Sequence, residues 1–313
     1  MLTDNLLDVF NALNGHFINA NKRVFWGYLL ATVVLAYLVW IKQNKPTSFI
    51  RFVLPKSVWL HDSAKIDYMV WVLNSAIKVL LIVPLLFAAA PIAIWLSQGL
   101  ESTFGDIANI SNNKATVIFV FTVLVFVLDD FTRFFLHWLM HKIPFLWHLH
   151  KVHHSAEVLT PFTVYRLHPL ESALAACRMV LTQGIAVGIG FYLFGHNLAI
   201  YDVLGANIFV FIFNIMGSNL RHSHIWLSWG DKIENWFISP AQHQIHHSNK
   251  PSHYHKNLGA GLAIWDRMFG THLSASEIKS PLSFGVGEQP HGSIKTLYLK
   301  PIIDMFGLSK PRQ

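Results

Sequence analysis

Long apolar stretches separated by short polar ones run through the first two-thirds of the chain. A helix needs about 20 mostly apolar residues to cross a bilayer. Residues 24–41 approach that length, with Trp26 and Trp40 near the ends, where interfacial anchors sit. Residues 69–96 form a longer stretch that contains Lys78, Pro84 and Pro91, so it reads as one kinked span or two shorter pieces. Residues 115–128 are the densest apolar run and stop at Asp129 and Asp130. Residues 179–194 and 199–217 read as a membrane hairpin joined at Gly195, His196 and Asn197. The pattern predicts an all-α integral membrane protein with about 4–6 transmembrane helices.

Composition supports this pattern. Of 313 residues, 53% are hydrophobic and 13% charged, against about 25% charged in a soluble domain. The net charge of +7 would suit a nucleic-acid binder, but Lys and Arg are scattered between apolar runs and read as membrane-flanking charges, so no nucleic-acid partner is expected. Cys177 is the only cysteine, which excludes an intramolecular disulfide and fits a reducing face. No small-residue cleavage site follows the first apolar run, which is read as a retained span. Lys42, Lys45, Arg51, Lys56 and Lys65 follow the first run, whereas the next loop holds Glu101 and Asp106. The positive-inside rule then puts the first loop, the segment 132–178 and everything after 218 in the cytoplasm. Lys22 and Arg23 fall on the opposite side in that arrangement, against the rule.

The nineteen histidines are unevenly spread. Residues 137–154 read HWLMHKIPFLWHLHKVHH, and 222–247 begin HSH and end HQIHH. On a helix, His137 and His141 share a face, as do His150, His153 and His154, and His243, His246 and His247 repeat the latter spacing. Pro144 breaks the helix between the first two groups and lets them turn toward each other. His222 adds a ninth imidazole. A single HxxxH arises by chance, but two HxxHH sets with an HxxxH, each just beyond an apolar run, point to metal binding. Nine imidazoles exceed the needs of one tetrahedral zinc and suit two ions of higher coordination. Imidazole alone does not choose among zinc, copper, iron and nickel.

The segment from Asp130 to His154, with SPAQHQIHHS at 239–248 and NLGAGLAIWDRMFGTH at 257–272, resembles the fatty acid hydroxylase and sterol desaturase superfamily. RLHPLE at 166–171 is similar to the branch containing sterol desaturases and related bacterial enzymes. The resemblance covers about residues 115–273; residues 1–110 match only in being hydrophobic. It implies a non-haem diiron centre in a histidine cage over a helical membrane base, with dioxygen as co-substrate. The implied outcome is hydroxylation, desaturation or ether cleavage of a lipid drawn from the bilayer. The ligands carried over by position are His137, His141, His150, His153, His154, His222, His243, His246 and His247. Zinc is a conceivable replacement for the two irons.

The middle cluster departs from the fuller HxxxH found in some members, because position 218 is Ser and position 226 is Trp. His224 is open as a ligand, a partner behind a ligand or a loop residue, with the middle role preferred; His168 has the same three options. His148 reads as a non-ligand. Ligating histidines usually give their other N–H to a carboxylate, carbonyl or water. Asp130, seven residues before His137 and on the same helix face, is a candidate for that role or else a marker of the membrane edge. Asp266 is a second candidate. Trp265 and Phe269 read as packing.

The chain reads as a single membrane domain over 1–313. It has a transmembrane base at 24–128, a histidine-rich helical cap on the cytoplasmic side at 129–273 that includes the 179–217 hairpin, and a tail at 274–313. The tail is too short for a flavin domain and HPL at 168–170 is not a haem-binding HPGG, so an external reductase, ferredoxin or b-type cytochrome is expected to supply electrons. A zinc-dependent membrane hydrolase is the main rival, weakened because 137–141 reads HWLMH without the glutamate of HExxH. A metal transporter is the lesser one, since transport sites lie within spans near the midplane.

Overall fold

The computed structural model describes residues 2–307 apart from 87, 108, 196, 197, 204 and 287–292. Helices account for nearly all regular structure there. In order they are α1 Leu2–Ile18, α2 Trp26–Lys42, α3 Phe49–Val53, α4 Lys56–Trp59, α5 Asp62–Ile77, α6 Ala89–Phe104 and α7 Lys114–Lys142. Then follow α8 Pro144–His154, α9 Pro169–Phe194, α10 Ile208–Ile215, α11 Asp231–Glu234, α12 Pro240–His246, α13 Ile264–Phe269 and α14 Ile294–Met305. A two-residue antiparallel pair, Asp202–Val203 with Ala206–Asn207, precedes α10. Helix α1 lies in a segment whose polar character gave no helix expectation.

Among the described residues, three helices are long and apolar enough to cross a membrane: Asp62–Leu85, Lys114–Lys142 and Pro169–Phe194. The apolar stretch 69–96 resolves into two pieces. The first continues from α5 through a π-helical turn, Lys78–Ile82, and a 3-10 turn, Val83–Leu85. The chain is extended at Leu86 and Ala88, and α6 then restarts with Pro91 in its first turn, where a missing N–H costs nothing. Helix α7 does not stop at Asp129 and Asp130. Its 29 residues run on to His141 and Lys142, a length of about 43 Å at the usual rise.

The hairpin expectation needs correction. Its first arm, α9, begins at Pro169, ten residues before the apolar run that suggested it. Its second arm is helical only over Ile208–Ile215, too short to cross by itself. Before α10 the chain is pinned to α7, where Thr122 accepts from Tyr201 N at 2.8 Å and from Asn207 Nδ2 at 3.1 Å. Of the proposed joint, His196 and Asn197 lie outside the described residues; Gly195 ends α9 with φ 66°. Helices α6 and α9 pack closely at a GxxxG pair. A Cβ on Gly184 would meet Ile92 Cβ at 2.7 Å, and one on Gly188 would meet the Ala93 carbonyl at 2.9 Å.

Under the cap, Arg166 is buried and pairs with buried Asp67 at 2.9 Å. Its Nε donates to Val152 O at 3.2 Å and Ser155 Oγ at 3.0 Å, at the end of α8. Thr163 donates to the other Asp67 oxygen at 2.6 Å. One guanidinium therefore ties α5 to the last turn of α8. Leu297 of α14 covers the same place, packed with Ile66, Val70 and Val152.

Candidate metal centre

Ile143 is extended because a proline follows, and Pro144 occupies the first position of α8. The break folds α8 back on α7, so that His137 Nε2 lies 3.0 Å from His150 Nε2. Helix α12 starts with a capping box between Ser239 and Gln242, with Pro240 at its first position. Gln244 Nε2 donates to Leu220 O at 2.8 Å and Ile225 O at 2.9 Å, which fixes the turn carrying His222 beside α12.

Nine of the eleven histidines in the two sequence clusters converge, and they sort into two groups. His137, His141, His150, His154 and His246 form one; His153, His222, His243 and His247 form the other. Within each, candidate donor nitrogens lie within 4.8 Å of one another. His222 Nε2 is 3.3 Å from His153 Nε2, 3.1 Å from His247 Nε2 and 3.2 Å from His243 Nε2. The groups adjoin through His154 and His247, whose rings stack at 4.7 Å. Helices α8 and α12 each end in adjacent histidines that go to different groups, because successive helical residues point about 100° apart.

The outer nitrogens decide what these groups can hold. His137 Nδ1 donates to Leu258 O at 2.7 Å, His246 Nδ1 to Lys256 O at 2.9 Å, and His150 Nδ1 to Glu171 Oε1 at 2.7 Å. A carbonyl only accepts, so the Nδ1 of His137 and of His246 carries the proton and each Nε2 presents a lone pair; Glu171, pushed up to about 7 by burial, does the same for His150 in its ionised form. Two lone pairs facing at 3.0 Å repel unless a cation lies between them. Nitrogens about 2.1 Å from one ion lie about 3.0 Å apart when cis in an octahedron and about 3.4 Å apart in a tetrahedron. The Nε2 atoms of His141, His154 and His246 are buried without a hydrogen-bond partner among the described residues. The donor set therefore fits metal ions, one per group.

The other site expectations resolve as follows. His168 caps α9, accepting from Leu170 N at 3.2 Å, and its Nε2 reaches Tyr298 O at 3.0 Å, so it stands outside both groups. His224, for which a place behind a ligand was preferred, instead donates to Phe52 O at 2.7 Å, because the Ser223 turn points it away from the cage. His148 lies outside the groups, 4.0 Å from Asp304. Asp130 does not contact His137; it accepts from Leu262 N at 3.0 Å and Trp265 Nε1 at 2.9 Å. Asp266 accepts from Leu258 N at 2.7 Å, Gly259 N at 2.8 Å and Thr271 Oγ1 at 2.6 Å. Both carboxylates thus clamp the 258–266 loop, and its Leu258 carbonyl is what holds His137. Trp265 packs on Phe131 as its apolar spacing suggested, while its N–H also serves Asp130.

The carboxylate directly behind a cage imidazole is Glu171, which the sequence left unassigned. With Glu171→Gln the group facing His150 loses its charge, and metal affinity should fall by about 10–100-fold. Competition with a chelator would measure this; unchanged affinity would remove Glu171 from the centre.

Burial lowers His150 and His153 from the usual 6.5 to about 3. It also holds His154, His243, His246 and His247 well below that value, with neighbouring imidazoles adding to the effect. His222 is lowered by burial first, then by His153, Arg23 and Arg221. The folded values lie below the unfolded ones, so below pH 6.5 the unfolded chain binds more protons and stability falls with acidification. Each such histidine contributes a slope of about 1.4 kcal/mol per pH unit inside its window. The melting temperature of the metal-free protein should drop steadily from neutral pH toward about pH 4, and bound metal should leave over the same range. A flat profile would contradict the neutral cage.

A cavity of about 660 Å³ reaches both groups, touching His141, His154 and His246 of the first and His247 of the second. Trp147, Pro144 and Val286 line it, with Lys142, Lys151 and Tyr254 also contributing.

Residues 122–271 match the family model described as fatty acid hydroxylase. Among curated proteins, the ornithine lipid hydroxylase OlsE of Rhizobium tropici is 30% identical over 149 residues, 48% of this chain and 40% of that protein. The alkylglycerol monooxygenase of Danio rerio is 26% identical over 178 residues, 56% of this chain and 36% of that protein. The Delta(7)-sterol 5(6)-desaturase erg3C of Aspergillus fumigatus is 24% identical over 208 residues, 62% and 59% respectively. The matches thus span between about a third and three-fifths of these relatives. No solved structure matches.

Proposed function

The chain belongs to the fatty acid hydroxylase and sterol desaturase superfamily, and from that premise we propose that it is a membrane-bound non-haem diiron oxygenase that hydroxylates or desaturates a lipid. The observation that carries the reading is the sorting of nine imidazoles into two adjoining groups whose lone pairs converge. Two irons bound there would supply the activation of dioxygen needed to attack an unactivated C–H bond.

The chain's own residues then hold, orient and exclude. Glu171 and the carbonyls of Leu258 and Lys256 fix the proton of three imidazoles on Nδ1 and aim Nε2 inward. Asp266 and Asp130 keep the 258–266 loop in place behind His137. The cavity beside the cage has the size of a small-molecule site. Its apolar lining suits the lipid segment to be oxidised, brought from the bilayer. Three long apolar helices support a membrane location; several crossings, with the cage on the cytoplasmic face, belong to this reading. So does an external electron donor, a reductase, ferredoxin or b-type cytochrome.

The test compares lipids of cells with and without the protein, then repeats the conversion with purified protein loaded with iron or with zinc. The expected result is a lipid that gains one oxygen atom or loses two hydrogen atoms, formed by the iron form only and dependent on dioxygen and added reductant. Lipid cleavage by the zinc form, with no oxidised product from the iron form, would replace this reading with a hydrolase.

A further inference from the structure

Helix α14 has two apolar sides. One is buried: Leu297 packs with Ile66, Val70 and Val152, and Pro301, one turn on, is buried as well. The other carries Leu299, Ile303 and Phe306, which recur at the spacing of a single helix face. These three are 47%, 40% and 65% exposed. Polar contacts fix which side turns inward. Asp304 pairs with Lys151 of α8 at 2.5 Å and with Lys300 at 2.8 Å, and Tyr298 OH donates to Asn74 Oδ1 of α5 at 2.9 Å. The outward side is therefore a surface set by the fold.

This surface continues onto the end of a helix of membrane length. Phe306 meets Phe145 edge to face at 6.2 Å. Phe145 and Ile143 are themselves exposed, and they follow directly on Lys142, the last residue of α7. On its inner side α14 packs on Ile66 and Val70, near the start of Asp62–Leu85. The helix thus lies across the ends of two segments that are long and apolar enough to cross a membrane. Charge frames the outward face. Lys295, one turn before Leu299, and Lys142 are exposed and have no ion pair among the described residues. Lysines so placed lay their stems along apolar surface and keep the ammonium at its polar edge.

We infer that the outward face of α14, with Ile143 and Phe145, rests in a phospholipid surface. An apolar helix face framed by lysines is the pattern of a helix lying in the interfacial plane, and a contiguous exposed apolar patch marks a contact site. The neighbouring segments favour lipid as the occupant. The patch begins where an apolar helix of membrane length ends, so one lipid surface meets both, and the ammonium groups of Lys142 and Lys295 suit its phosphates. The seating has a consequence for the cage. Lys142 and Pro144 line the cavity that reaches both histidine groups, while Ile143 and Phe145, alternating with them, belong to the patch. The mouth of the cavity therefore opens beside the lipid. Treating that lipid as the source of substrate rests on the oxygenase reading above; the seating of α14 does not.

The test uses the full-length protein, loaded with diamagnetic zinc, in nanodiscs of dioleoylphosphatidylcholine. With Cys177→Ser as background, nitroxide labels are placed in turn on Leu299→Cys, Ile303→Cys and Phe306→Cys. Collisions with dioxygen, which concentrates in lipid, are compared with collisions with a water-soluble nickel chelate. Dioxygen contact should exceed chelate contact several-fold at all three positions. Dominance of the chelate at any of them would show a face turned to water and overturn the inference. Exclusion of both reagents would show that another part of the chain or a second copy covers the face, with dipolar broadening marking the copy, and would overturn it too. A second measurement needs no substitution. A phosphatidylcholine with a diazirine on its acyl tail should label α14 on irradiation, and the triple variant Leu299→Ser, Ile303→Ser, Phe306→Ser, at the parent's metal content, should lose most of that label. Absence of label from α14 would overturn the seating. Label should also reach Lys142–Lys151; label on α14 without it would overturn the placement of the cavity mouth. Neither readout involves turnover, so a preparation that forms no oxidised lipid counts against the oxygenase reading alone.

Discussion

Alanine at His222 should cut bound iron from two ions per chain to about one and lower lipid oxidation by ~10³-fold or more. His222 Nε2 is the hub of the second group, within 3.3 Å of the Nε2 atoms of His153, His243 and His247. Its loss leaves that group only three imidazoles, while the first group keeps all five members. His224→Ala provides the contrast. That ring is two residues away but rests on the Phe52 carbonyl, so its loss should leave metal content unchanged. Metal analysis and product formation on the two variants check the pair. Full iron content in His222→Ala, or loss of iron in His224→Ala, would refute the grouping.

Arg166→Met should destabilise the fold by about 3–5 kcal/mol, because it leaves the Asp67 carboxylate buried without its partner. The damage should also reach the cage. Arg166 holds Val152 O and Ser155 Oγ, which flank His153 and His154. Bound metal should therefore be lost at temperatures where the long apolar helices persist. Replacing both partners, as in Arg166→Met with Asp67→Leu, should recover much of the stability, since no buried charge remains alone. Melting curves and iron retention for the single and double variants measure this. A single variant as stable as the parent would show that the pair contributes nothing.

The histidines were legible because helical spacing fixes which rings share a face, and because Pro144 marks the fold-back between them. The expectation of two ions rested on ligand number, and the nine imidazoles do sort into two groups. What lay behind the ligands was harder to read. Asp130 shares a helix face with His137, yet the group that holds His137 is the Leu258 carbonyl, and every residue has a carbonyl. Glu171 lies far along the chain from His150 and reaches it only because His168 and Pro169 start α9 at the right place. Apolar composition located the long apolar helices but misjudged their bounds. The stretch 199–217 is as apolar as a span, but Gly205 has a positive φ of 79°, and the side chains of Thr122 and Asn207 accept from the backbone of Tyr201 and Phe209 where a long helix would bond to itself. Lys22 and Arg23 ran against the charge rule for topology; Arg23 lines a small cavity with Asp129, Asp130 and Arg133.

The centre draws its walls from widely separated parts of the chain. Helices α7 and α8 bring five histidines, but His222, His243, His246 and His247 come only after α9 and α10, and the loop clamped by Asp266 comes later still. During synthesis, then, the early histidines emerge without the partners that complete either group. Of the first group only His246 is then missing, whereas of the second only His153 is present. The second group can therefore close only once the chain is made through His247, so its assembly waits on nearly the whole of the sequence that the first group needs as well.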